Sequence, residues 1–397
     1  MDAEEIQAEV EAGVDAATLP VAVEQSGMTL RERWRRTMFF QSVDCIPNFE
    51  FGYWQETLPA WHEQGLPPEV DNEGSAYEYF GIENWHGTPV DVMGLRPGFE
   101  WKVIEEDDEY QVYQNTDGSI ARINKKGHQS IPQHLSYRLK DRESWEEFKE
   151  KLQPDADRVP ENWPELAERY NKRDYPLAVG IGSLIGIPRN WIGFENIAIM
   201  IYDEPELLEE IVDTICDLVC NTLQRVLGDV EFDFAAGWED ICFNSGPIVG
   251  VDFMHSVVTP RYKRITDLLH KHGCHIAWTD TDGNIVPIID CFLDGGINCM
   301  FPVEVHAGSD PVLIREKWPD IRMQGGVCKM ELAKGPEAIR AELERLKPHV
   351  LAGGFIPGVD HRVPANVTLD DYKVYLKLKR DMYGVGGTPQ YDESKVG

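Results

Sequence analysis

Residues 274–306 read CHIAWTDTDGNIVPIIDCFLDGGINCMFPVEVH. A short apolar run ending at Trp278 passes into the polar string Asp280-Thr281-Asp282-Gly283-Asn284. An amphipathic segment then closes on Gly295 and Gly296, and a second apolar run, INCMF, ends in Pro302-Val303-Glu304. Short apolar runs bounded by turn residues mark buried strands, and a helix between two of them is the signature of a parallel crossover. The stretch therefore predicts one strand–helix–strand unit with its polar residues just past each strand.

The same alternation extends in both directions. Upstream lie PLAVGIG (176–182), a helical pattern from Leu207 to Val226, FDFAAGWED (232–240) and the helix PRYKRITDLLHKHG (260–273). Downstream lie PVLIREKWP (311–319), IRMQGG (321–326), GPEAIRAELERLKP (335–348) and HVLAGGFIP (349–357). No glycine-rich dinucleotide fingerprint follows any of these strands, so the reading is an α/β chain of the (β/α)8 TIM-barrel class rather than a nucleotide-binding open sheet.

Three additions are expected on the barrel. Residues 1–28 form an acidic N-terminal extension, since 1–27 hold seven acidic side chains and no Lys or Arg. Residues 29–385 form the barrel, opening with the helix-like TLRERWRRTMFF and with VDCIPNFEFGYW (43–54) as first strand. Within it, 97–140 read as an inserted antiparallel hairpin region around the turn Thr116-Asp117-Gly118. Residues 386–397 are a C-terminal tail.

The chain has 397 residues with 38 Lys plus Arg against 69 Asp plus Glu, a formal net charge of −31. Such a field repels phosphate backbones and anionic lipid, so neither nucleic acid nor membrane is expected as a partner. An acidic start, where a leader would be basic and then apolar, points to the cytoplasm. Eight cysteines without a CxxC pair read as buried thiols. A homodimer is compatible with this composition.

In a parallel barrel the chemistry lies beyond the C-terminal ends of the strands. Polar residues there are Glu239 in Trp238-Glu239-Asp240, Asp280 and Asp282 with Asn284, Glu304, Lys329, and Asp360-His361-Arg362. Converging carboxylates and an imidazole can share protons as acid and base, or hold a divalent cation. The expected catalytic set is Asp280, Asp282, Glu239, Lys329 and His361; the expected metal set is Glu239, Asp280, Asp360 and His361. Tyr53, Trp54, Trp191 and Trp238 follow strands as an aromatic wall, and with Arg189, Asn284 and Glu304 they form the expected substrate-binding set. Each residue also has a bland role: Asp282-Gly283-Asn284 suits a turn and helix cap, Lys329 a surface charge, and most aromatics a core.

The segments TDTDGNIVPIIDCFLDGGIN, FPVEVHAGSD, QGGVCKMELAKG and AGGFIPGVDHRVP resemble the uroporphyrinogen decarboxylase superfamily, over about residues 29–385. That superfamily contains porphyrinogen decarboxylases and corrinoid-linked methyltransferases, and the resemblance implies a (β/α)8 barrel. The arginine-rich segment that meets the tetrapyrrole acid groups in the decarboxylases is not matched by RERWRRTMFFQSVDCIP. The His-x-Cys and later Cys that hold zinc in the methyltransferases correspond to Asp280-Thr281-Asp282 and Gly358-Val359-Asp360-His361, so hard oxygen stands where soft sulfur would be. Zinc or another divalent ion would sit there as a Lewis acid.

The resemblance implies an enzyme that moves a methyl group from a small methoxylated or methylamino compound to a corrinoid on a separate protein. The alternatives are a carboxy-lyase gripping a small carboxylated substrate through Lys329, Arg189 or Arg362, and a non-catalytic small-molecule binder.

Overall fold

The computed structural model describes residues 27–125 and 132–396, so the expected extension lies, but for its last two residues, outside the described part. The insertion is a four-stranded antiparallel meander of β1 (Lys102–Glu106), β2 (Tyr110–Gln114), β3 (Ile120–Asn124) and β4 (Gln133–Ser136). The centre is a six-stranded parallel sheet of β5 (Ala178–Gly182), β6 (Phe234–Trp238), β9 (Ala277–Asp280), β10 (Cys299–Phe301), β11 (Arg322–Val327) and β12 (Phe355–Val359). A small hairpin, β7 (Cys242–Phe243) with β8 (Gly246–Pro247), follows β6. Each new parallel strand lies beside the one before it, and helices return the chain between them.

The helices form where the apolar spacing predicts. In Pro205–Leu223, Leu207, Leu208, Ile211, Ile215 and Leu218 recur at three and four residues and are buried, so one stripe meets the sheet while the other faces water. A proline at its first position costs nothing, because that N–H has no helical acceptor.

Where the barrel reading expects eight parallel strands, six regular ones are found among the described residues. The first predicted strand, 43–54, is not paired into the sheet; it makes isolated bridges from Tyr53 to Val363, four residues past β12, and from Ile46 to Val385 in the segment after the last long helix. On the opposite edge His86 bridges Leu177 beside β5. These two flanking segments also meet, since Glu83 N–H donates to the Asn48 carbonyl over 2.9 Å. Pro47 and Gly52 interrupt regular pairing in the first of them.

One inner cluster draws on Ala178 of the β5 edge, Ile356 of the β12 edge, and Phe234, Trp278, Cys299 and Phe301 between them. The sheet therefore curls about a common interior. Trp34 and Met38 of the helix Leu30–Met38 join that cluster, and Arg31 of the same helix binds Asp233, just before β6, over 2.8 Å. The helix thus covers the N-terminal ends of the strands, and the opposite end is left for the polar strand endings. The tail is tied back, with Gly386 N–H on the Ile46 carbonyl and Tyr391 against Phe80.

Candidate active site

Strand parity decides which carboxyls reach the interior. Trp278 packs inside, so Asp280, two residues on, takes the same face. It lies in register with Trp238 of β6 and Phe301 of β10. Asp280 is 7% exposed, and among the described residues its carboxyl has no hydrogen-bond partner. Burial raises its carboxyl well above the ordinary range, and the charges of Asp282 and Asp240 raise it further against the pull of Arg362.

Glu239 goes the other way. It follows Trp238 on the outer face, where its carboxylate accepts from the backbone N–H groups of Leu184, Ile185 and Gly186 at 2.8, 3.0 and 2.7 Å. The hydroxyls of Ser183 and Tyr262 complete the set. Gly186 sits so close that a Cβ there would meet the Glu239 carbonyl oxygen at 2.0 Å. The residue expected as a catalytic carboxylate and metal ligand is instead a buried clamp on the start of the helix Gly186–Ile192. Burial still pushes its carboxyl up against these donors.

The next residue, Asp240, is the one that sequence reading passed over. At φ 43° the backbone turns into the left-handed region, and the side chain meets Arg189 at 3.2 Å. Burial lifts the Asp240 carboxyl, with Asp282 adding to the rise and Arg189 opposing it. Arg189 also lies over the Trp238 ring, 5.2 Å from its centroid. Parity along β6 was the available signal: Phe234 and Ala236 belong to the inner cluster and Trp238 shares their alternation, which sends Glu239 outward.

After β9 the loop residues divide their tasks. Asp282 Oδ2 lies 3.1 Å from His361 Nε2, and Asp282 Oδ1 is buried without a partner among the described residues. Gly283, at φ 80°, lies against the β7–β8 hairpin, where a Cβ would strike the Cys242 carbonyl at 2.5 Å. Asn284, expected to bind substrate, turns its Oδ1 to the Val286 N–H at 3.2 Å, as in an Asx turn. His361 Nδ1 accepts the Arg362 N–H at 2.8 Å, so in the neutral ring Nε2 carries the proton that goes to Asp282.

The ring of His361 stacks on Trp54 at 5.1 Å and 16° and meets Phe51 at 5.2 Å. Phe51 continues to Phe301 at 4.6 Å, and Phe301 to Trp278 at 4.9 Å. Trp54 thus stands beside the imidazole at the strand ends. Tyr53 does not: its hydroxyl meets Tyr372 at 3.2 Å in a buried aromatic cluster with Trp61 and Phe80. Trp191 is likewise core, 3% exposed and packed on Phe148.

Lys329 binds Glu304 at 2.6 Å, and Glu304 also accepts the Gly283 N–H at 3.0 Å. This pair braces the Asp282 loop from the side. Asp360 is buried, its oxygens taken by the N–H groups of Lys329 and Val305 at 2.8 and 2.9 Å. Burial pushes its carboxyl up to about 6.

The expected metal set of Glu239, Asp280, Asp360 and His361 is not assembled. Glu239 and Asp360 give their oxygens to backbone donors, and both His361 nitrogens are engaged. Among the described residues no group of three or more His, Cys, Asp or Glu is placed to hold a metal.

No protein-family model matches the sequence, and no curated protein matches it. Among solved structures, a methyltransferase from Methanosarcina mazei aligns with a TM-score of 0.57 at 16% identity, covering 90% of this chain and 99% of that one. A B12-independent methionine synthase from Shewanella sp. W3-18-1, in complex with selenomethionine, aligns with a TM-score of 0.36 at 10% identity, covering 84% and 91%. The first likeness establishes a shared fold. Among the described residues no helix is long and apolar enough to cross a membrane.

Proposed function

We propose that this chain is a methyltransferase, taking a methyl group from a small methoxylated or methylamino compound and passing it to a corrinoid on a separate protein. The observation that carries the reading is Asp280, a carboxyl 7% exposed and without a hydrogen-bond partner among the described residues, at the inner end of β9 beside an aromatic wall. In this reading the six strands and the two flanking segments, 43–54 and 83–90, close as an eight-membered barrel. The bridges at Tyr53 and His86 and the Glu83-to-Asn48 hydrogen bond support that closure.

The reduced corrinoid supplies the nucleophile that accepts the methyl group. As the new bond forms, the electron pair of the old carbon–oxygen or carbon–nitrogen bond stays on the heteroatom. Asp280 then has one of two duties. Protonated, as its burial favours, it gives its proton to the departing oxygen of an ether. Ionised, it holds the charge of a methylated ammonium, whose amine leaves neutral. Trp54, Phe51 and Phe301 orient the substrate, and His361 holds Asp282 in place. Methyl transfer to a carrier needs an open rim. Phe243, half exposed on the β7–β8 hairpin, meets Phe194 edge to face at 4.8 Å and offers apolar surface for that contact.

A carboxy-lyase has less support, because Arg189, Arg362 and Lys329 already hold Asp240, Glu73 and Glu304. The test is methylation of free reduced cobalamin, followed by its absorbance, with methoxylated arenes and methylated amines as donors. Transfer by the native protein, reduced at least ~100-fold in Asp280→Asn, supports the reading. Absence of transfer from both donor classes, with carbon dioxide released from a carboxylated substrate, overturns it.

A further inference from the structure

We propose that the mouth is a receptor for a methylated ammonium cation, held by Asp280 against the faces of Phe51, Trp54 and Phe301. The choice of cation over neutral ether rests on the methyl-transfer reading for its consequence, but it is argued from a separate observation, the pairing of charges around the mouth.

Among the described residues, each arginine and lysine bordering the mouth has an acid. Arg189 meets Asp240 at 3.2 Å, Arg362 meets Glu73 at 2.9 Å and Lys329 meets Glu304 at 2.6 Å, while the imidazole of His361 lies 3.1 Å from Asp282. Asp280 is the carboxyl left over, more than nine-tenths buried and facing the interior beside Trp238 and Phe301. The buried Oδ1 of Asp282 is also without a partner among the described residues. A buried acid with no partner is costly unless a cation or a proton joins it. Among the described residues the cluster is thus short of positive charge.

The surrounding surface selects the kind of cation. A metal ion needs several oxygen donors at one point, and no such group is found among the described residues. A primary ammonium donates three hydrogen bonds, and the linked rings of Trp54, His361, Phe51 and Phe301 add no acceptors to the carboxyl oxygens of Asp280 and Asp282. A methylated ammonium spreads its charge over methyl groups and is attracted to aromatic faces. The chain-wide charge of −31 draws cations toward the mouth and repels carboxylated ligands. On such a ligand the carbon–nitrogen bond breaks with its electron pair on nitrogen, so a neutral amine departs and Asp280 keeps its charge.

The test measures binding of tetramethylammonium and choline to the full chain by calorimetry in sodium phosphate, with 3,3-dimethylbutan-1-ol as the uncharged shape match for choline. The expected result is saturable binding of both cations, at least ~10-fold weaker binding of the neutral alcohol, and a ~10-fold loss in Asp280→Asn. Trp54→Leu, away from the buried carboxyl, is expected to lose binding as well and serves if Asp280→Asn does not fold. Equal binding of choline and the alcohol, or no binding of either cation, overturns the proposal. Cation binding by a protein that transfers no methyl group from any donor defeats the methyl-transfer reading while leaving this one standing. Transfer from ethers alone, with no cation bound, does the reverse.

Discussion

Nε2 of His361 lies 3.1 Å from Oδ2 of Asp282, and the bond spans the mouth. Asp282 follows β9 and His361 follows β12, strands that β10 and β11 separate in the sheet. A flat sheet with strands about 4.8 Å apart would hold those ends near 14 Å from each other, so the contact requires the curl that the shared interior cluster also records. The pair fixes the rim on which Asp280 depends.

Asp280→Asn separates activity from stability. The carboxyl is raised in the folded protein, so the fold disfavours its ionised form, and its contribution to stability is lost as pH rises above the unfolded value. Melting temperature in Asp280→Asn is expected to exceed that of the native protein at pH 8 and to approach it at pH 4, while methyl transfer falls ~100-fold or more. A variant less stable at pH 8 would assign Asp280 a structural role.

Glu239→Ala removes the acceptor of three backbone N–H groups and two hydroxyls. Each unsatisfied buried donor costs about 1–3 kcal/mol, so a loss of roughly 3 kcal/mol or more is expected from the urea midpoint. A loss below about 1 kcal/mol would show that the start of the helix Gly186–Ile192 does not need the clamp.

Asp360 shapes the acid limb of the stability profile. Its carboxyl stands at about 6 against an ordinary 3.8. The fold therefore favours the protonated group, whose contribution is full below 3.8 and is lost as pH climbs through about 6. Comparing melting temperatures of the native protein and Asp360→Asn from pH 4 to 7, the native protein should lose ground over that window. Parallel profiles would place the titration in another residue.

The buried ion pair of Lys379 and Glu50 locks the last helix to the first segment. Both side chains are almost fully buried, and Glu50 also accepts from Tyr375 at 2.8 Å and from the Val359 N–H at 2.9 Å. Lys379→Met removes the counter-charge of the buried Glu50, at an expected cost of about 3–5 kcal/mol in chemical unfolding. Adding Glu50→Gln should recover part of it. A double variant as unstable as the sum of the single losses would show the two residues to be energetically independent.

Much of the site could be read from the chain because strand endings are local. The apolar runs before Asp280, Glu304 and Asp360 marked where polar side chains would gather; Asp280 ends its strand, and Glu304 and Asp360 lie just past theirs. Trp54 and His361 were also found this way, and they stack. Tyr53 and Trp191 were not separable from them, since an aromatic after a strand serves core and pocket alike until its neighbours are known.

The sequence by itself determined the order of strands and crossover helices, the antiparallel insertion and the residues available at the strand ends, since periodicity and turn chemistry act between near neighbours. The tertiary structure alone decided which of those residues share charge. Glu239 and Asp240 are adjacent in the chain, yet one faces Tyr262 in the helical layer and the other meets Arg189. Likewise, the partners of Asp282 and Lys329 lie 79 and 25 residues away. Coulomb energy and desolvation depend on distance through space, and only the folded sheet sets that distance.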